Sequence, residues 1–106
     1  ARRLPHGQLA RLARDPEREV RKVVAARLPP FALHLLAKDP EPEVRAIVAE
    51  RALPDIAVGL LHDKEWWVRL AAVGNVPKEF LAPLCKDPEV EVREATLARL
   101  AESPST

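Results

Sequence analysis

Apolar side chains recur along this chain in paired short bursts, each pair parted by a charged hinge. In residues 4–27 the first burst is Leu9, Leu12 and Ala13, and the second is Val20, Val23 and Val24. Both run at i, i+3, i+4 spacing, which sets the apolar positions on one side of a helix. The pattern returns as Phe31, Leu33, Leu35 and Leu36 with Val44, Ile47 and Val48, then as Ile56, Leu60 and Leu61 with Val68, Ala71 and Ala72. It ends with Phe80, Leu81, Leu84 and Cys85, followed by Val92, Ala95, Thr96 and Leu97. Val and Ile fall at helical spacing rather than in the sustained alternation of a strand, so the expectation is all-α.

The hinge is the most regular feature. Asp15-Pro16-Glu17 leads to Val20-Arg21, Asp39-Pro40-Glu41 to Val44-Arg45, Asp63-Lys64-Glu65 to Val68-Arg69, and Asp87-Pro88-Glu89 to Val92-Arg93. The aspartates at positions 15, 39, 63 and 87 are evenly spaced, without insertion or deletion. A fixed short period marks a solenoid, in which each unit buries its apolar face only against its neighbours. The expected plan is one domain over residues 1–101, with repeats at about 4–27, 28–51, 52–75 and 76–99, and a disordered tail at 102–106.

Each repeat is expected to hold a pair of short helices. The aspartate carboxylate is placed to accept N–H groups of the second helix, with proline at its first position and glutamate at the positive end of its dipole. Pro29 and Pro30 stop one second helix, and Gly74-Asn75 close another with residues that tolerate a left-handed end. Gly59 and Pro83 share one register position in the first helices. Both weaken an α-helix there, so this segment is expected to wind partly as a 3₁₀ helix.

The unit Leu-Pro-x-x-x-Leu-x-x-Leu-Ala-x-Asp-Pro-x-x-x-Val-Arg-x-x-Val-Ala resembles the leucine-rich repeat variant family. Residues 28–49 are the clearest copy, with Leu28-Pro29, Leu33, Leu36-Ala37, Asp39-Pro40, Val44-Arg45 and Val48-Ala49 in place. The resemblance implies alternating α and 3₁₀ helices in a right-handed superhelix, a shorter relative of HEAT repeats. It also implies a ladder in which each Arg reaches an Asp of its own or the adjacent repeat: Asp15, Arg21, Asp39, Arg45, Asp63, Arg69, Asp87 and Arg93. A charge repeated in every copy points to stacking rather than to a unique catalytic centre.

Composition narrows the chemistry further. The single cysteine, Cys85, excludes an internal disulfide framework and a four-cysteine metal site. One member of the resembled family carries a four-iron, four-sulfur cluster on a cysteine-rich segment. An iron–sulfur accessory role is therefore one alternative, although Cys85 reads as a small core residue and no cofactor is expected. His6, His34 and His62 fall at three different register positions, and serine occurs only at 103 and 105. No HExxH, phosphate loop or nucleophile elbow is present, so the expectation is a non-enzyme. Some HEAT-like folds act on DNA through Trp, Asp and Arg in a cleft; Trp66, Trp67, Asp63 and Arg69 imitate that set, but four short repeats form little cleft.

Two features suggest contact surfaces. Trp66-Trp67 break the repeat: Glu19, Glu43 and Glu91 occupy the Trp67 register, which points Trp67 to solvent, while Arg18, Pro42 and Val90 at the Trp66 register leave its direction open; the alternative is that both rings lie flat over neighbouring helices, with Trp66 the more buried. Exposed tryptophan is a favoured binding anchor. Residues 1–27 also hold eight basic and three acidic side chains, against nine and thirteen in the rest. Arg2, Arg3, Arg11, Arg14, Arg18, Arg21 and Lys22 form a candidate basic patch for nucleic acid. The leading expectation is a cytoplasmic protein-interaction scaffold without membrane contact. A terminal repeat, with Leu97 and Leu100 uncovered, offers either a homodimer contact or the seat of a further repeat.

Overall fold

A computed structural model describes residues 6–102; the rest of the expected tail, 103–106, and residues 1–5 lie outside that range. The elements are α1 (His6–Leu12), α2 (Arg18–Arg27), a 3₁₀ segment η1 (Pro30–Leu36), α3 (Pro42–Arg51), α4 (Pro54–Val58) and α5 (Trp66–Val73). They continue with 3₁₀ segments η2 (Lys78–Phe80) and η3 (Ala82–Lys86), and α6 (Val90–Ala101). No strand occurs among the described residues. The second helices stack in chain order, α2 on α3, α3 on α5 and α5 on α6, while α1, η1 and η3 pack against the second helix of their own repeat.

The core follows from the period. Val24, Val48, Ala72 and Thr96 share one register position and are all buried, as do Val44, Val68 and Val92. Leu9, Leu33, Ala57 and Leu81 supply the first-segment layer. Small and branched aliphatics let helices approach closely, and no aromatic ring enters the fully buried set. Phe31, Leu35, Phe80, Val23 and Leu97, expected inside, are instead exposed. The register explains two of these: Phe31 aligns with Asp55 and Glu79, and Leu35 with Arg11 and Gly59, so both ride on a polar face.

Local chemistry sets the turns. In every repeat the aspartate N–H donates to the carbonyl three residues back, at 3.0–3.2 Å, from Asp15 to Leu12, Asp39 to Leu36, Asp63 to Leu60 and Asp87 to Leu84. Its Oδ1 then accepts the N–H two residues on, from Glu17, Glu41, Glu65 or Glu89, at 2.9–3.0 Å. This is an Asx turn. The second helix consequently starts later than the sequence suggests, with the glutamate as extended N-cap and no side-chain cap of its own. Pro16, Pro40 and Pro88 precede the second helix, and among the second helices only α3 has a proline, Pro42, at its first position.

The 3₁₀ expectation needs a different cause. Pro83 does lie in η3, but the longest 3₁₀ segment, η1, has Leu35 at that position, and α4 with Gly59 at its C-cap is α-helical. The shared constraint is length: a short segment must run between a Pro start and the Asx turn. Bonds from residue i to i+3 rise farther per residue and meet that span. They also follow α4, where Gly59, Leu60 and Leu61 donate to Ile56, Ala57 and Val58. At Gly74 the left-handed end is absent: its φ of −74° is right-handed, and no described residue has positive φ.

Thr96 is the one buried side chain with an unpartnered polar atom among the described residues. Its register partners are Val24, Val48 and Ala72. Thr96→Val removes a desolvated hydroxyl at nearly constant shape, and should raise the stability measured by urea unfolding by about 1 kcal/mol.

Candidate functional site

Three guanidinium groups join the four repeats. Arg21 donates Nε and Nη2 to Asp39 Oδ2 and Oδ1 at 2.7 and 3.2 Å. Arg45 grips Asp63 in the same way at 2.7 and 3.1 Å, and Arg69 grips Asp87 at 2.8 and 3.0 Å. The remaining nitrogen of each, Nη1, donates to the main-chain carbonyl of the aspartate in its own repeat: Asp15, Asp39 and Asp63, at 2.6–2.7 Å. Each Arg thus clamps the hinge of its own repeat and the carboxylate of the next. Arg93 makes only the first of these contacts, to Asp87 O at 2.7 Å.

Burial makes these pairs differ from surface ion pairs. The Arg45 and Asp63 side chains are each only 7% exposed, whereas those of Arg18 and Glu19 are 60% and 69% exposed. The exposed pair is worth little, but a buried carboxylate stripped of its arginine is costly. The Asp63 carboxyl is pushed up by burial, yet the Arg45 hydrogen bond, the Glu65 N–H and the Arg45 charge together hold it below the usual range. Asp87 is lowered through the same balance with Arg69 and Glu89. The hydrogen bond to Asp63 raises Arg45, against the opposing effect of burial.

A second ladder escaped the reading of the sequence. Arg51 Nη1 donates to the carbonyls of Ala25 and Leu28 at 2.6 and 2.9 Å, and Arg99 Nη1 to those of Val73 and Val76 at 2.6 and 2.8 Å. Between them Asn75 Nδ2 donates to Ala49 and Ala52 at 3.0 and 2.8 Å. Every second helix leaves unpaired carbonyls at its C-terminal end, and a positive or amide donor there is favourable. The donor comes from the following repeat. The signal was the recurrence of Arg27, Arg51 and Arg99 at one register position, broken only by Asn75; Asn75 substitutes for an arginine and does not serve as a left-handed cap.

The candidate contact residues are arranged differently from expectation. Trp66 is exposed, at 36%, whereas Trp67 is half-buried and packs against the core. The wide apolar indole of Trp67 folds back from a rim position where the charges of Glu19, Glu43 and Glu91 stay in water. In the proposed basic patch, Arg21 is consumed by the ladder, Arg18 lies near Glu19 and Glu41, and Lys22 near Glu19 and Glu43. Arg11 and Arg14 are exposed, and Arg2 and Arg3 lie outside the described residues. Carboxylates thus balance Arg18, Arg21 and Lys22 of the described patch.

Cys85 is a half-buried free thiol, and no cluster of metal-ligating side chains occurs among the described residues. No described helix is long and apolar enough to cross a membrane.

Comparison with known proteins agrees with this architecture. The family model "leucine rich repeat variant" matches residues 18–41, from the start of α2 through the second hinge. A solved structure described as a leucine-rich repeat variant with a novel repetitive protein structural motif is 52% identical and superposes with a TM-score of 0.84. That match covers 92% of this chain and 41% of the other, so this chain spans less than half of its length. No curated protein matches the chain. Residues 18–41 thus form a leucine-rich repeat variant unit, and the chain is a helical repeat protein similar to that family.

The lowered pKa of Asp63 and Asp87 has a definite pH signature. Near pH 3 the unfolded chain binds more protons at these groups than the folded one, so stability rises with pH there. Their contribution is complete above about pH 4, the unfolded carboxylate value, and is lost as pH falls through the depressed folded values. Urea midpoints should drop from pH 5 to pH 3, and Asp63→Asn should flatten that drop.

Proposed function

We propose that the chain is a non-catalytic interaction scaffold whose partner is another protein. The observation that carries this reading is the fate of the aromatic rings. Of the four in the chain, Phe31, Trp66 and Phe80 are exposed at 61%, 36% and 43%, while the core is built from Leu, Val and Ala. Repeats two, three and four each contribute one. Large rings left on the surface when the core does not need them are the preferred anchors of protein interfaces.

The charged residues support the same reading from the other side. The recurrent Asp and Arg side chains are spent on holding repeats together, with both carboxylate oxygens and all three guanidinium nitrogens engaged at the inner steps. Groups committed in this way are not available as general acids, bases or nucleophiles.

The test uses wild type and Trp66→Arg as baits in lysate of the source cells, with and without nuclease. The substitution places in repeat three the residue that repeat one carries at the same register, Arg18, so the fold should survive. A protein retained by wild type and bound roughly tenfold or more weakly by the variant is the expected result. Binding that vanishes with nuclease and ignores Trp66→Arg would transfer the function to nucleic acid.

A further inference from the structure

One recurrent charge in this chain holds nothing. The position directly before each hinge aspartate carries Arg14, Lys38, His62 and Lys86. All four side chains are exposed. None lies within ion-pair distance of a carboxylate among the described residues, unlike Arg21, Arg45 and Arg69. Histidine is the one type here without a full charge near neutral pH. His62 falls in the one repeat whose hinge proline is replaced by a lysine, Lys64, which is also exposed. A positive charge is thereby kept beside every hinge. Stacking accounts for the recurrent Asp and Arg of the ladder, but not for this one.

The structure joins these side chains into one row. Three open hollows of about 380, 480 and 390 Å³ follow successive hinges. The first is flanked by Arg14 and Lys38, the second by Lys38 and Lys64, and the third by Lys64 and Lys86, so neighbouring hollows share a lysine. Counting the clamp arginine, three charged cations in each hollow face two carboxylates, both of them hinge aspartates. No described glutamate and no described aromatic ring borders any of the three. Leu35, Leu60, Leu61 and Leu84 supply apolar ground between the charges.

We infer that this row is a docking groove for an extended acidic segment of the partner, an inference that rests on the reading of the partner as a protein. The carboxylates of the segment meet the unpaired cations one repeat at a time. Packed helices stand roughly 8–10 Å apart, and an extended or polyproline chain advances about 3.1–3.4 Å per residue. Acidic residues at every third position therefore match the step from one repeat to the next, and the residues between them meet the leucines. Nucleic acid fits this groove less well. Single strands bind by stacking their bases on aromatic rings, and a phosphate backbone makes no use of leucines.

Fluorescence anisotropy with the whole chain tests this. The probe is a labelled peptide long enough to span the three hollows, with glutamate at every third position and alanine and proline between. The expected result is binding that weakens as salt is raised and falls roughly tenfold when Lys38→Gln and Lys64→Gln are combined. Both lysines are exposed, so the double variant should fold, as circular dichroism would verify. Lys38→Arg with Lys64→Arg keeps the charge and should bind as wild type does. A peptide of the same composition with its glutamates in one block should bind more weakly. Trp66→Arg should leave the peptide affinity unchanged. Failure of the peptide to bind at low salt while capture through Trp66 persists overturns the groove alone and leaves the wider reading standing. Binding indifferent to the loss of both lysines also overturns the inference. So does a single-stranded oligonucleotide of equal charge that displaces the peptide, because the row would then be a nucleic-acid site.

Discussion

The bidentate bond from an arginine of one repeat to the aspartate of the next is the constraint on which the structure depends. Bringing a carboxylate and a guanidinium out of water is expensive unless every polar atom is met. Here they are met on all sides: at the inner step Asp63 Oδ1 serves both Arg45 and Glu65 N–H, Oδ2 takes the second guanidinium bond, and Arg45 Nη1 closes on the Asp39 carbonyl. That geometry couples three separate things, the entry to the second helix, the turn before it and the distance to the neighbouring repeat. One inserted residue in α3 would swing the following side chains about 100° around the helix and break the set. The unbroken period of the sequence is the trace of that requirement.

The apolar core is subordinate to this spacing. Helices held close by the clamps admit Val, Ala and Leu between them, and the rings of Phe31, Trp66 and Phe80 stay at the surface. At the other end of each second helix the Arg51–Asn75–Arg99 ladder meets the unpaired carbonyls, so each repeat is tied to its neighbour at both ends of the helix as well as along its side. Recurrent Asp and Arg side chains hold the stack, while Phe31, Trp66 and Phe80 stay on its surface.

How much of this could be read from the sequence depended on recurrence. The even step, the all-helical plan and the existence of an aspartate hinge were visible because four copies repeat them. The helix start was misjudged because Asp-Pro-Glu fits a cap equally well as an Asx turn, and the choice is made by backbone angles two residues later. The reach of Arg51 and Arg99 is not legible in the sequence, since a main-chain carbonyl in the preceding repeat leaves no mark in composition. Trp67 was misplaced for a similar reason. Register fixes where its Cβ points, but a large indole has enough reach to return to the core where glutamate does not.

The central claim is that neighbouring repeats are coupled through the buried clamp rather than only through aliphatic packing. A double-mutant cycle on Arg45 and Asp63 isolates it, using Arg45→Met, Asp63→Asn and the pair in urea unfolding, since single losses alone would mix the clamp with the hinge. A coupling energy of about 2 kcal/mol or more is the expected result for a hydrogen-bonded pair held out of water. A value below about 0.5 kcal/mol, the size of an exposed ion pair, would contradict the account and leave the aliphatic core and the Arg51–Asn75–Arg99 ladder to link the repeats.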